Sequence, residues 1–232
     1  MNTKPKKNLN EKPEWAMIFD VDGTMVDNSK YHESAWIELG KRHNIPIDHN
    51  FYMKNIHSKS NIDVAHDVFK EMVGIEKGLS FGIEKAAIYR QTYRPVLREI
   101  PGFTNLIKIL SSMNVPCAAA SNSPRPNIDM VLEELKIENC FCAVIDNSQV
   151  KKGKPDPEMF LAAAEKMQVH PSKCIVIEDS ISGFKAAENA KMPYIVITVG
   201  ANQKDLKYAV NPKAMHKDFT TLTIEELKSC LR

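Results

Sequence analysis

Residues 15–24 read Trp15-Ala16-Met17-Ile18-Phe19-Asp20-Val21-Asp22-Gly23-Thr24. An apolar run ends in two carboxylates two residues apart, followed by a glycine turn. Folding has no need of such a pair, because a buried carboxylate is costly unless it is paired or holds a metal. Its position suggests a use. An open α/β sheet gathers ligands at the carboxyl ends of its strands. Read as a strand, Trp15 to Val21 makes Asp20 and Asp22 site candidates.

Chemistry-bearing residues recur at similar places along the chain. Cys117-Ala118-Ala119-Ala120 ends in Ser121-Asn122-Ser123-Pro124, and Cys174-Ile175-Val176-Ile177 ends in Glu178-Asp179-Ser180. Tyr194 to Val199 is a further apolar run, ending at Gly200, and Ala143 to Asp146 is a weaker one. Helical spacing separates them, over Phe103 to Met113, Asn127 to Leu135, Pro157 to Met167 and Ser182 to Ala190. A last helix runs from Ile224 to Leu231, with Thr223 as N-cap. Short continuous apolar strands alternating with helices predict an α/β fold, a Rossmann-like parallel sheet covered on both faces.

Between the first strand and this series the pattern is helical only. The spacing predicts helices over Lys30 to His43, with Ala35, Trp36 and Leu39 buried, and over Asn61 to Val73, with Ile62, Ala65, Val68, Phe69 and Met72 buried. A third runs from Ile83 to Arg98. Residues 29–98 are therefore expected to form a helical cap over the strand ends, inserted into a core of residues 14–28 and 99–232. The blander alternative is that these helices simply pack on the sheet. Residues 1–13, polar and lysine-rich, are expected to form a disordered tail.

Composition excludes several classes. The 232 residues carry 31 Lys+Arg against 29 Asp+Glu, a net charge of +2, with no basic stripe interleaved with aromatics to bind nucleic acid. No apolar stretch approaches the ~18 residues that span a bilayer. The five cysteines form no C-x-x-C pair and three lie in or beside apolar runs, as expected in a reducing cytoplasm.

Asp20, Asp179 and Glu178 are hard oxygen ligands of the kind Mg²⁺ takes together with water and phosphate. A phosphate monoester dianion would be repelled by these acids. A divalent metal and Lys154, in the turn Gly153-Lys154-Pro155-Asp156-Pro157, reverse that sign. Backbone N–H groups after Asp20, the Ser121 hydroxyl and the Asn122 amide can hold phosphoryl oxygens. One carboxylate can attack phosphorus, and a second, two residues on, can handle the leaving group's proton. Singly, each feature has a duller reading: a DxD turn, a solvated lysine, Ser121-Asn122 or Glu178-Asp179 capping the next helix. Gly153-Lys154 is no P-loop, since the upstream glycine is missing.

As an ordered set, Asp20-Val21-Asp22-Gly23-Thr24, Ser121-Asn122, Lys154 and Glu178-Asp179 resemble the four motifs of the haloacid dehalogenase superfamily of phosphohydrolases, over roughly residues 15–200. The resemblance implies Asp20 as nucleophile and Asp22 as general acid/base. It implies Gly23, Thr24, Ser121, Asn122 and Lys154 around the substrate phosphate. Asp20, the Asp22 carbonyl, Glu178 and Asp179 would hold Mg²⁺. Asp27, Tyr31-His32 and Ala35-Trp36 further resemble the segment after the first motif in β-phosphoglucomutase and its sugar-phosphatase relatives, which implies that His32 contacts Asp22. Trp36 is read as core. The expected function is Mg²⁺-dependent hydrolysis of a small phosphorylated metabolite, a sugar phosphate, through an aspartyl phosphate, by a cytoplasmic monomer. The alternative is a phosphoglucomutase-type isomerase. That reading needs a cap arginine for the second phosphate, and Lys54-Asn55-Ile56-His57-Ser58-Lys59-Ser60 has none, leaving Lys59 as substitute. A signalling receiver domain has its acidic pair before the phosphorylated aspartate, the reverse of the order here.

Overall fold

Six parallel strands form one sheet in the order β3-β2-β1-β4-β5-β6. In this computed structural model, which describes residues 13–232, they are β1 Ala16–Phe19, β2 Cys117–Ala120, β3 Ala143–Ile145, β4 Cys174–Glu178, β5 Tyr194–Ile197 and β6 Ala214–His216. The segment read as a disordered tail lies outside the described residues, Pro13 apart.

Strand alternation sorts the core into two halves. Met17, Phe19, Ile175, Ile177, Ile195 and Ile197 face one side, under Phe103 and Phe219. Ile18, Ala118, Ala120, Val176 and Val196 face the other, under Met159, Phe160 and Phe184. Both faces are covered, so the strands read as continuous apolar runs rather than alternating ones. Burying each large side chain contributes roughly 1.5–3 kcal/mol. The alanines of β2 leave room for α8 (Glu158–Met167), which packs on β2 and β3.

The order of strands reverses between β1 and β4, and parallel sheets bind ligands at such a point. Phe19 pairs with Ile177 there. Asp20 and Glu178-Asp179 therefore leave neighbouring strands at the same level. Ser121 follows β2 on the other side of β1.

The insertion leaves and re-enters the core side by side. Val26 bridges Asp22 and Glu99, and Ile100 N–H donates to the Met25 carbonyl. Between these legs lie α1 (Ser29–Arg42), α2 (His49–Asn55), α3 (Asn61–Val64) continuing through a π-helical turn (Ala65–Phe69) into α4 (Lys70–Val73), and α5 (Ile75–Tyr93). This is the helical cap the sequence predicts, with no strand among its described residues.

Several details differ from the sequence reading. α2 was not expected. Its start is set by the Asp48 carboxylate, which accepts from Phe51 N–H, and seven residues are too few to show a period. α5 begins eight residues before Ile83 and stops at Tyr93, where Pro95 follows. The buried stripe is Val64, Ala65 and Phe69; the π turn adds a residue that turns Met72 outward, and Ile62, before the turn, is exposed as well. β6, unexpected, is an edge strand with a half-exposed pattern. The core includes α6 (Phe103–Ser112), α7 (Arg125–Leu135), α9 (Ile181–Asn189) and α10 (Ile224–Ser229), the last capped by Thr223 as predicted.

Candidate active site

A cavity of about 140 Å³ lies between the strand ends and the cap. On the core side Lys154 Nζ donates to Asp20 Oδ1 at 2.5 Å and to Glu178 Oε1 at 2.7 Å. All three side chains are at least nine-tenths buried. Such an arrangement is sustained only by strong pairing, and removing the lysine would leave buried carboxylates uncompensated. Two acids flank one lysine, and Asp179 is a third. Oxygens of Asp20, Glu178 and Asp179 lie within 4.8 Å of one another. Burial pushes the carboxyls of Asp20 and Asp179 well above the usual range, and Glu178 adds repulsion to both. Lys154 opposes this and is itself held above the ordinary lysine range by its two acids, against the effect of burial. The cluster carries more negative charge than one ammonium balances. Its all-oxygen donors fit a divalent cation such as Mg²⁺.

Asp22 has both oxygens engaged. Oδ1 accepts from Asn28 Nδ2 at 2.5 Å and faces His32 Nε2 at 3.1 Å; Oδ2 accepts from Ser121 and Ser123 hydroxyls at 3.3 and 2.5 Å. Burial alone would raise its carboxyl, but His32 and these hydrogen bonds hold it below the usual range. His32 is in turn pushed down by burial and by Lys85, whose Nζ lies 2.6 Å from His32 Nδ1. A neutral ring satisfies both neighbours: Nδ1 accepts from Lys85 and Nε2–H donates to Asp22. Burial lowers Lys85 to about 8. The His32 ring stacks on Tyr89 at 4.0 Å, and Tyr89 OH accepts from Asn28.

The structure brings together Asp20, Asp22, Ser121, Asn122, Lys154, Glu178, Asp179 and His32, all expected from the sequence. Three take places other than expected. Thr24 is fully buried and donates to Asp179 Oδ1 at 3.2 Å. Gly23 N–H is taken by the Val26 carbonyl. Neither borders the cavity in this arrangement. Gly23 has φ +84°, and a Cβ there would overlap the Asp179 carboxylate, so glycine is required. Asn122 borders the cavity, but its amide brackets the Lys154 backbone, accepting from Lys154 N–H at 2.9 Å and donating to its carbonyl at 3.1 Å. It positions Lys154. Trp36 is core as read, 2% exposed, yet it also borders the cavity, with the Lys85 ammonium 5.6 Å over its ring.

Sequence reading missed Asn28, Ser123, Lys85 and Tyr89. Ser123 was legible as the third residue of the Ser121-Asn122-Ser123 strand end. Lys85 and Tyr89 lie four apart on one helix, among ordinary helical residues, and nothing local marks them.

A parallel sheet ordered 3-2-1-4-5-6, a helical cap and an acid–lysine cluster at the switch point define a capped Rossmann-like α/β protein with a buried polar site. The haloacid dehalogenase-like hydrolase family model matches residues 16–191, and the chain belongs to that family. It is 30% identical over 198 residues to "Beta-phosphoglucomutase" of Bacillus subtilis, covering 81% of this chain and 84% of that one. It is 26% identical over 177 residues to "Phosphorylated carbohydrates phosphatase" of Thermotoga maritima, covering 75% and 81%. A solved structure of a family IA, variant 3 hydrolase from Entamoeba histolytica superposes with a TM-score of 0.83 at 26% identity, over 94% of this chain and 99% of that one. The relatives of this chain thus include, by name, both a mutase and a phosphatase of phosphorylated compounds. No helix among the described residues is long and apolar enough to cross a membrane.

Proposed function

We propose that the protein hydrolyses a small sugar or polyol monophosphate in two steps on Asp20, with Mg²⁺ as cofactor. The observation that carries this reading is the buried cluster of Asp20, Lys154, Glu178 and Asp179 at the switch point. An Asp20 oxygen attacks phosphorus. The bond to the leaving oxygen breaks, and that oxygen takes a proton from Asp22. The Asp22 carboxylate must first take up that proton from solvent, as the substrate dianion arrives and its present contacts loosen. Water then attacks the aspartyl phosphate, loses its proton to Asp22 and releases orthophosphate. Lys154 holds Asp20 Oδ1, and Oδ2 has no hydrogen bond among the described residues. Asp22 must release one of its present contacts to reach the leaving oxygen. Asp20, Glu178, Asp179 and the Asp22 carbonyl would hold Mg²⁺, which screens the acids from the phosphate dianion. Ser121 supports the phosphoryl group beside Lys154.

Hydrolysis is favoured over phosphoryl shuttling by the cap. No arginine lines the cavity, and Lys59, the substitute expected from sequence, donates to Asp67 at 2.8 Å. A bisphosphate intermediate that must turn around in place has no bidentate cation to retain it. Incubation with β-glucose 1-phosphate, Mg²⁺ and a trace of the 1,6-bisphosphate tests this. Net orthophosphate release, abolished by chelator and restored by Mg²⁺, is expected. Stoichiometric glucose 6-phosphate with little free phosphate would make the mutase reading correct instead.

A further inference from the structure

The cap wall of the cavity carries hydroxyls rather than available cations. Tyr52 of α2 is 7% exposed and borders the cavity, and its hydroxyl has no hydrogen-bond partner among the described residues. The phenol oxygen is not among the wholly buried atoms that lack a partner, so it opens onto the cavity, where a ligand hydroxyl can meet it. The hydroxyl of Ser29, at the start of α1 on the same cavity, is likewise without a partner among the described residues. Beside Tyr52, the His57 ring meets the phenol ring edge to face, 5.9 Å between centroids. His57 Nε2 faces Asp205 Oδ2 of the core at 3.5 Å, so this end of the cavity is backed by a carboxylate. The cations on the cap wall are already engaged, Lys85 with His32 and Lys59 with Asp67.

From this inventory we infer that Tyr52 and Ser29, with His57 beside them, form a subsite for the uncharged, hydroxyl-bearing tail of a monophosphate, and that a tail ending in a second anion is disfavoured. The inference rests on the phosphatase reading for its phosphate end only. Uncommitted hydroxyls donate to and accept from a substrate hydroxyl equally well. An anionic tail would need a free cation and meets the Asp205 carboxylate behind His57. At about 140 Å³ the cavity is below the roughly 300–1,000 Å³ of sites for drug-sized ligands, so the tail is a few carbons long. A site built to hydrogen-bond a hydroxyl rejects the analogue lacking it more strongly than an apolar pocket rejects an extra methylene.

Three monophosphates of equal carbon count separate the possibilities: glycerol 1-phosphate, propyl phosphate and 3-phosphoglycerate, assayed with the full chain and Mg²⁺. Glycerol 1-phosphate is expected to exceed each of the others in kcat/KM by about tenfold or more. Tyr52→Phe should lower kcat/KM for glycerol 1-phosphate by about fivefold, the scale of one hydrogen bond, and leave propyl phosphate unchanged. Equal rates on glycerol 1-phosphate and propyl phosphate would overturn the inference, as would a Tyr52→Phe loss shared by both. p-Nitrophenyl phosphate reports the chemistry alone. If it and the three substrates all release no phosphate, the phosphatase reading falls. The subsite is then judged by calorimetric Kd, where equal affinity for glycerol 1-phosphate and propyl phosphate overturns it.

Discussion

The two walls of the cavity treat their polar atoms in opposite ways. On the core wall the side chains of Asp22, Lys154 and Glu178 are engaged by side chains from other segments of the chain, at distances of 2.5–3.3 Å. On the cap wall Tyr52 and Ser29 are left without partners among the described residues, while His32, held by Lys85, reaches across to Asp22. A wall whose groups hold one another is preorganised for one reaction. A wall of uncommitted hydroxyls suits discrimination between tails. Reaction and selectivity are thus carried by different stretches of chain, and substitutions should separate them.

The largest effect is expected at the core wall. Asp20→Asn should lower phosphate release by about 10⁴-fold or more, the scale of removing a nucleophile. The melting temperature should hold or rise, because a buried charge that Glu178 repels is removed. Turnover near the wild-type rate in this variant would break the assignment. Lys154→Ala comes next, with kcat/KM lower by about 10²-fold or more. Unlike the previous variant it should also destabilise the fold, by roughly 3–5 kcal/mol, because buried Asp20 and Glu178 lose their counter-charge. Denaturant unfolding beside the kinetic assay reads both. A change under threefold in kcat/KM would remove Lys154 from the chemistry. Asn122→Ala sharpens the contrast: if the amide only brackets the Lys154 loop, the loss should be smaller than for Lys154→Ala and track the melting temperature.

The smallest expected effect lies at the junction of the walls and depends on pH. Lys85 sits near 8 in the fold, against 10.5 when unperturbed. Between these values the unfolded chain binds more protons than the native state, so this lysine's contribution to stability rises with pH. Its cost is fully present below pH 8 and gone above about pH 10.5. Lys85→Met abolishes that dependence. From pH 7.5 to 9.5 the unfolding free energy of wild type should therefore gain about 2 kcal/mol relative to Lys85→Met. Parallel curves for the two proteins would show that Lys85 is not buried as a cation.

Most of the core wall was legible along the chain. Asp20, Ser121, Glu178 and Asp179 directly follow or end apolar runs, and a run that short, bounded by polar residues and turns, is a strand whichever sheet it joins. Gly23 and Thr24 were recognised, but not their direction. Their neighbour Asp179 lies 155 residues beyond Thr24 and takes the hydroxyl that was expected to face a phosphate. The cap was legible as helical but not in register. The π turn at Ala65–Phe69 rotated Met72 outward, and no periodicity forecasts an inserted residue.

By itself the sequence determined the class of sheet, the strand ends that carry acids and the presence of a helical insertion. These follow from local period and from the cost of placing charge beside buried strands. Only the tertiary structure decided that Lys85 approaches His32 across 53 residues, that Tyr52 is left without a partner, and that the Asn122 amide serves the Lys154 loop. Each depends on which faces of separate elements are pressed together. Packing of α1 against α5, and of the Lys154 turn against the end of β2, is chosen by the whole core rather than by any stretch within it.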